Sequence, residues 1–330
     1  MSRSAAIEVA APARLHLGFL DLNGNLGRRF GSLGLAIDAF PTIVRVAFSG
    51  HDQVVGTDAA RVGKVIARLR QQLGFDSPLE VELVAAPPPH AGLGSGTQLA
   101  LTLGTAVCRL HQRTVAPGEL ATLLGRGLRS GIGLAAFEQG GFAVDAGAAR
   151  EDRAPTTLVR IPFPDSWRVM LVLDPTGEGL HGAEEVAAFR ALPPQARDAA
   201  GELCRLALMG VLPGLVEQDL EQFGRAVTQI QAIVGDYFSP AQGGRFLSAR
   251  VADALEWLAA EGVHCIGQSS WGPTGFAIVE SGQAAERLVD AWQRRTRVPP
   301  IEWKICAGRN EGARISMRAA GRSVAALSSY

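Results

Sequence analysis

The sequence predicts an α+β fold in two domains. Three observations carry this reading: runs of apolar alternation at period two recur along the chain, runs at helical spacing separate them, and a proline-bearing stretch divides the chain near its middle. The expected units are residues 1–164 and 165–330. With 330 residues, 47% of them hydrophobic and 19% charged, each half can bury its own core, which excludes a disordered chain.

The elements follow in order. Ile7-Glu8-Val9 begins the alternation, and Arg14 to Leu20 sets Leu15, Leu17 and Phe19 against Arg14, His16 and Gly18. Thr42 to Phe48 repeats the pattern. From about Asp58, Val62, Val65, Ile66, Leu69 and Leu73 recur at helical spacing, and Gly74 is placed to stop that helix. A strand is expected over Leu79 to Val84, and a long apolar helix at Leu99, Leu103, Val107 and Leu110. Pro117 opens a helix expected to reach Leu128. A short strand follows at Phe142 to Val144, and Pro155, Pro162 and Pro164 mark the expected linker. Trp167 to Leu173 reads as a buried strand and 183–234 as mostly helix, punctuated at Pro193-Pro194 and Pro213-Gly214. The expected remainder is a helix from Gly244 to Ala260, strands near Val263 to Ile266 and Gly275 to Val279, a helix from Gln283 to Gln293, and strands at Glu302 to Cys306 and Ala313 to Met317.

Charge narrows the function classes. Lys and Arg total 32 and so do Asp and Glu, which argues against a nucleic-acid or membrane partner and for a small molecule. Lys64 and Lys304 are the only lysines, so lysine chemistry has two candidates. No stretch of 18 uninterrupted apolar residues occurs. Cys108, Cys204, Cys265 and Cys306 form no CxxC pair, and a cytoplasmic protein with reduced, core-packed thiols is expected.

Three segments can carry chemistry. Pro89-His90-Ala91-Gly92-Leu93-Gly94-Ser95-Gly96-Thr97-Gln98 follows a strand and opens a helix, so its free N–H groups suit a phosphate or pyrophosphate, with Ser95, Thr97 and Gln98 as added donors. No lysine follows the glycines, so it is not a Walker A loop, and the same glycines also suit a plain capped helix start. The second segment, Ala11 to Asp21, continues through Asn23-Gly24 to Arg28-Arg29. Arg14 and His16 share a strand face, Asp21 lies just past the strand end, and Arg28 offers a planar fork for phosphate or carboxylate. Asp21 can hold a Mg²⁺ that bridges phosphate oxygens; a polar strand face ending in a turn is the plainer alternative. The third is Gln268-Ser269-Ser270-Trp271-Gly272-Pro273, a backbone-rich turn able to face a ligand or simply to join two strands.

In this order the three segments resemble the GHMP superfamily of small-molecule kinases and their relatives. Arg14-Leu15-His16-Leu17, Asp21-Leu22-Asn23-Gly24, Gly27-Arg28, Arg129-Ser130-Gly131-Ile132-Gly133, Gln242-Gly243-Gly244 and Gln268 to Pro273 make the chain more similar to one branch. That branch is the β-ribofuranosylaminobenzene 5′-phosphate synthases of methanopterin biosynthesis. The resemblance implies a ribosomal protein S5 domain 2-like N-terminal domain, a ferredoxin-like C-terminal domain, and a homodimer. Where GHMP kinases commonly have a lysine in the first motif this chain has Arg14, and the aspartate that many place after a Ser-Gly pair is absent, since Ile132-Gly133 follows Ser130-Gly131.

The resemblance implies attack by the ring carbon of 4-aminobenzoate on C1 of phosphoribosyl pyrophosphate, with loss of pyrophosphate and then of CO₂. On that reading the Gly92 to Thr97 amides, Mg²⁺ at Asp21, and Arg28 stabilise the departing pyrophosphate. Arg14 and His16 serve the 5-phosphate or the benzoate carboxylate, Asn23 binds substrate or phosphate, and Ser269, Ser270 and Trp271 line the aromatic side. His181 and Glu184 are secondary candidates on a mobile loop. The alternatives are an ATP-dependent GHMP small-molecule kinase and a catalytically inactive phosphate-binding module.

Overall fold

The computed structural model describes residues 5–150, 153–177, 179, 187, 191–295 and 300–319. Its chain folds into two antiparallel-dominated sheets with helices between and outside them, the α+β class expected.

Two long strands organise the first sheet. β1 (Ala5–Asp21) and β2 (Phe30–Phe48) pair antiparallel, with register shifts between Ala11 and Ala13 and between His16 and Gly18. β3 (Gln53–Val55), α1 (Ala59–Leu73) and β4 (Leu79–Ala85) follow. Gly74 ends α1 at φ 69°, its N–H donating to Arg70 O, as a left-handed helix stop requires. Next come α2 (Ser95–Leu110), α3 (Pro117–Leu123), α4 (Ile132–Glu138), β5 (Phe142–Asp145) and β6 (Thr157–Ile161). α3 stops five residues short of Leu128, because Gly125 and Gly127 both adopt positive φ. The proline-bearing stretch likewise holds β6, paired with β5, rather than a bare linker.

The second half begins with β7 (Arg168–Leu173). α5 (Arg197–Val216) runs straight through Pro213, with a π turn over Ala207–Val211, where a break was expected. The freed backbone at a π bulge accommodates a proline at the start of the next turn. α6 (Leu220–Gln242) and α7 (Ala249–Ala260) follow. α7 starts later than the expected Gly244, at Ser248, whose hydroxyl accepts from Val251 N–H as an N-cap. β8 (Cys265–Gln268), β9 (Gly275–Val279), α8 (Gly282–Gln293), β10 (Glu302–Cys306) and β11 (Arg314–Ala319) complete the described chain.

The first sheet runs β11-β1-β2-β4-β3, with β5 on β2 and β6 on β5; the second runs β10-β7-β9-β8. That second order is the fourth, first, third and second strand of its own half, the ferredoxin-like pattern. β11 returns to β1 through Ala5↔Ala319 to Ala10↔Arg314, so the last strand joins the first sheet.

Three cores lock these layers. α1, α2 and α3 cover one face of the first sheet through Val44, Val81, Val62, Leu69, Leu101 and Leu120. α7 and α8 cover the second sheet with Leu255, Leu258 and Trp292. A third cluster joins the two sheets across α5 and α6, with Leu15, Leu17, Phe142, Trp167, Phe223 and Ile230 buried together. Each such side chain stabilises by about 1.5–3 kcal/mol on burial. Cys108, Cys265 and Cys306 are buried as expected, while Cys204 is exposed on α5 because it faces away from that cluster's Leu203.

Candidate active site

Beyond Ala10, where pairing with β11 ends, β1 has β2 along only one side. The other edge presents unpaired backbone groups that must find partners. Segments from distant parts of the chain supply them. Arg14 N–H donates to Leu93 O (3.2 Å), Ser270 N–H to His16 O (3.4 Å), His16 N–H to Ser269 Oγ (3.0 Å), and Gln231 Nε2 to Leu17 O (2.8 Å). The three sequence segments therefore meet along one strand edge.

The glycine-rich loop shows why it needs glycine. A Cβ on Gly92, at φ 79°, would lie 2.1 Å from Ser269 O; one on Gly94, at φ 83°, would lie 3.1 Å from Arg14 Cγ. Gly92 O accepts from Ser269 Oγ (2.7 Å) and from Arg14 Nη1. The inner side of the loop is thus packed by protein, and the first-turn N–H groups of α2, at Ser95, Gly96 and Thr97, remain as donors. Leu93 is buried at 1% exposure and contributes its carbonyl, its side chain belonging to the core. Gln98 is not a ligand donor: it is buried, and its Nε2 donates to Gly133 O at 2.7 Å.

Gly133 occupies the place where a kinase-type carboxylate would stand. A Cβ there would meet Thr97 Cγ2 at 3.0 Å, so the loop's own side chain fills the space a base would need. Asp145 approaches the same helix start instead. Its carboxylate accepts from Gly131 N–H and Gly147 N–H, both at 2.8 Å, and burial pushes its pKa up to about 6 against the lowering by those two N–H donors. Asp145 ends a short buried strand, where nothing in the sequence marks a carboxylate as functional.

His16 is buried, 3% exposed, with its ring 4.5 Å from that of Phe19. Burial, then the charges of Arg14 and Arg129, lower its pKa to about 3, so the ring is neutral at physiological pH and binds no anion by charge. Its Nε2 is buried without a hydrogen-bond partner among the described residues. A narrow cleft opens beside it, lined by Phe19, Gln231, Phe238, Gln242 and Trp271. Trp271 is 3% exposed and its ring lies 4.4 Å from that of Phe238. Ser269 is fully buried and knits β1 to the loop, while Ser270, at φ 58°, borders the cleft. Arg129 and Phe238 were not assigned a role from sequence; only the fold brings them to the strand edge.

Asp21 lies seven positions along β1 from Arg14, about 20 Å at the usual rise, and Arg28 stands by the turn after β5. Asp21 Oδ1 accepts from Asn23 and Gly24 N–H groups, both at 2.8 Å, and Asn23 Nδ2 donates to Gln195 O. Arg28 Nη1 donates to Gly147 O at 3.2 Å. No group of three or more His, Cys, Asp or Glu side chains gathers among the described residues. Asp21 Oδ2 alone fits a Mg²⁺ held mainly by substrate oxygens, the usual habit of that ion. His181 and Glu184 lie outside the described residues.

Residues 60–141 match the GHMP kinases N terminal domain and residues 211–297 the GHMP kinases C terminal family. The chain is 33% identical over 290 residues to the β-ribofuranosylphenol 5′-phosphate synthase of Archaeoglobus fulgidus, covering 83% of this chain and 88% of that one. It is 29% identical to the enzyme of the same name from Methanothermobacter thermautotrophicus, covering 92% and 97%. Among solved structures it is similar to homoserine kinase from Cytophaga hutchinsonii, at TM-score 0.65 and 20% identity over 94% of this chain and 97% of that one. Mevalonate diphosphate decarboxylase from Staphylococcus aureus also matches, at TM-score 0.65 and 15% identity over 95% and 98%.

Proposed function

The chain belongs to the β-ribofuranosylphenol 5′-phosphate synthase family, built from GHMP kinase N- and C-terminal domains, and on that footing we propose that it is a decarboxylating phosphoribosyl transferase. Its donor is phosphoribosyl pyrophosphate and its acceptor 4-aminobenzoate, giving β-ribofuranosylaminobenzene 5′-phosphate, pyrophosphate and CO₂ in methanopterin biosynthesis.

The observation that carries this reading is the convergence of the three segments on the β1 edge, where Arg14 and the loop amides lie beside an aromatic cleft. Arg14 and the amides suit the diphosphate of the donor, and Arg28 is assigned its 5-phosphate. The cleft of His16, Phe19, Phe238 and Trp271 suits the aromatic ring, against which the neutral His16 offers one polar nitrogen.

In the proposed reaction the bond from C1 to the diphosphate oxygen breaks and the electron pair leaves with pyrophosphate. The ring carbon bearing the carboxylate bonds to C1, and loss of CO₂ returns its electron pair to the ring. No proton leaves that carbon, so a catalytic carboxylate at position 133 is unnecessary, consistent with Thr97 filling the space. Arg14 and the amides stabilise the departing charge. Mg²⁺, held by Asp21 and substrate oxygens, would neutralise phosphate charge on the Arg28 side of the donor. The exposed Leu208, Met209 and Val216 of α5 give an apolar face for a homodimer, and a cytoplasmic setting belongs to the same proposal.

The names of the relatives favour a second acceptor, 4-hydroxybenzoate, which would yield the phenol. Incubation with Mg²⁺, phosphoribosyl pyrophosphate and carboxyl-labelled 4-aminobenzoate or 4-hydroxybenzoate tests both. One labelled CO₂ and one pyrophosphate per riboside are expected. ATP consumption with a small alcohol, and no labelled CO₂ from either acid, would overturn the transferase in favour of a kinase.

A further inference from the structure

Lys64 lies outside every glycine-rich segment of the sequence, yet it borders the phosphate loop in space. A cavity of about 230 Å³ opens between α1, the first turns of α2 and the turn after α3, bordered by Arg61, Lys64, Arg68, Gly96 and Arg126. Arg61 pairs with Asp58 at 2.6 Å and its Nη2 donates to Ser95 Oγ at 3.4 Å. Arg68 Nε donates to Leu123 O at 3.0 Å. A Cβ on Gly96 would lie 3.4 Å from Arg126 Nη1, so the missing side chain leaves the guanidinium room against the first turn of α2.

Among the described residues no carboxylate forms an ion pair with Lys64, Arg68 or Arg126. Partial burial and then the charges of Arg61 and Arg68 hold Arg126 below the usual arginine range. Like charges gathered at the positive end of a 16-residue helix repel one another, and an anion relieves the repulsion. A phosphomonoester brings about −1.5 to −2; a diphosphate brings more and better matches three uncompensated cations.

We propose that this cavity is an oligophosphate subsite, continuous with the Ser95 to Thr97 amides, that holds the terminal phosphoryl group of the donor's diphosphate and of pyrophosphate after its release. The identity of the donor rests on the reaction proposed above; the anion site itself rests on the cavity. Lys64 acts here as a point charge for binding.

Calorimetric titration with inorganic pyrophosphate, and with inorganic phosphate for comparison, tests this on the whole protein. Pyrophosphate should bind more tightly than phosphate and weaken with added salt. Lys64→Gln and Arg126→Gln should each weaken pyrophosphate about tenfold or more, with melting temperatures near wild type because both side chains are solvent-reached. Arg225→Gln, on the outer face of α6, should bind as wild type does. Folded variants that bind pyrophosphate as tightly as wild type would overturn the proposal, as would wild type preferring phosphate. Pyrophosphate should also inhibit competitively against phosphoribosyl pyrophosphate, and a noncompetitive pattern would overturn the shared subsite. Variant-sensitive pyrophosphate binding without any transfer would refute the reaction and leave the anion site standing; transfer with variant-insensitive binding would do the reverse.

Discussion

The hydroxyl of Ser269 accepts the N–H of His16 at 3.0 Å and donates to the carbonyl of Gly92 at 2.7 Å. One buried side chain thereby connects the beginning, the middle and the end of the sequence, and its donor and acceptor capacities are both used. The relationship explains how the loop's height over β1 is set: Gly92 lies so close to the 269 carbonyl that no Cβ fits between them.

Ser269→Ala should therefore loosen both halves at once. The His16 N–H loses its partner inside the protein, which costs about 1–3 kcal/mol for a buried donor. Urea denaturation should show that loss, and turnover should fall about tenfold, the equivalent of about 1.4 kcal/mol, as the loop shifts. Unchanged stability with full turnover would mean that the loop is positioned by Arg14 alone.

Introducing the kinase carboxylate is a second test. Gly133→Asp must push Thr97 away, and overpacking of this kind typically costs about 1–3 kcal/mol. Thr97→Ala removes the opposing methyl and should recover part of that cost, so a double-mutant cycle by denaturation should give a coupling of about 0.5 kcal/mol or more. Additive effects would show that the two positions do not compete for the same space.

Much of this arrangement was legible in the sequence, and the remainder was hidden for physical reasons. Period-two alternation marked Arg14 to Leu20, and Gly74 ended α1 where its left-handed conformation was foreseen. The three glycine-bearing segments were recognisable because chemistry and backbone freedom coincide there. The pairing of β11 with β1 was not, since strand partners separated by some three hundred residues leave no local pattern. Arg61, Lys64 and Arg68 looked like the solvated side of an amphipathic helix, which they are until α2 and Arg126 close the cavity beside them. Asp21 looked like a ligand at a strand end, and half of its carboxylate turned out to hold its own turn.

Asp145 gives a stability profile with a definite sign. Its folded pKa, about 6, lies above the ordinary carboxyl value of 3.8 because burial outweighs its hydrogen bonds. The folded state then binds the proton more tightly than the unfolded chain, so the contribution of this group is full below about pH 4 and is lost as pH rises toward and through 6. The change amounts to about 3 kcal/mol. Asp145→Asn should lower stability by leaving one of the two glycine N–H groups poorly met. The wild-type advantage over that variant, measured by urea melts, should shrink between pH 4 and 7; an advantage that grows would reverse the assignment.

Arg28 separates the two ends of the proposed donor. One guanidinium nitrogen is engaged with the carbonyl of Gly147, and the others are left for a 5-phosphate. Hydrogen bonds to charged groups are worth about 1.5–3 kcal/mol, so Arg28→Ala should raise the KM for phosphoribosyl pyrophosphate by about 10- to 150-fold. Free pyrophosphate has no 5-phosphate, and its proposed place is at the loop and Lys64, so its binding should be untouched by the same substitution. A variant that loses both would place Arg28 at the diphosphate after all, and one that keeps wild-type KM and turnover would remove it from the site, leaving the 5-phosphate to Arg14 or Arg129.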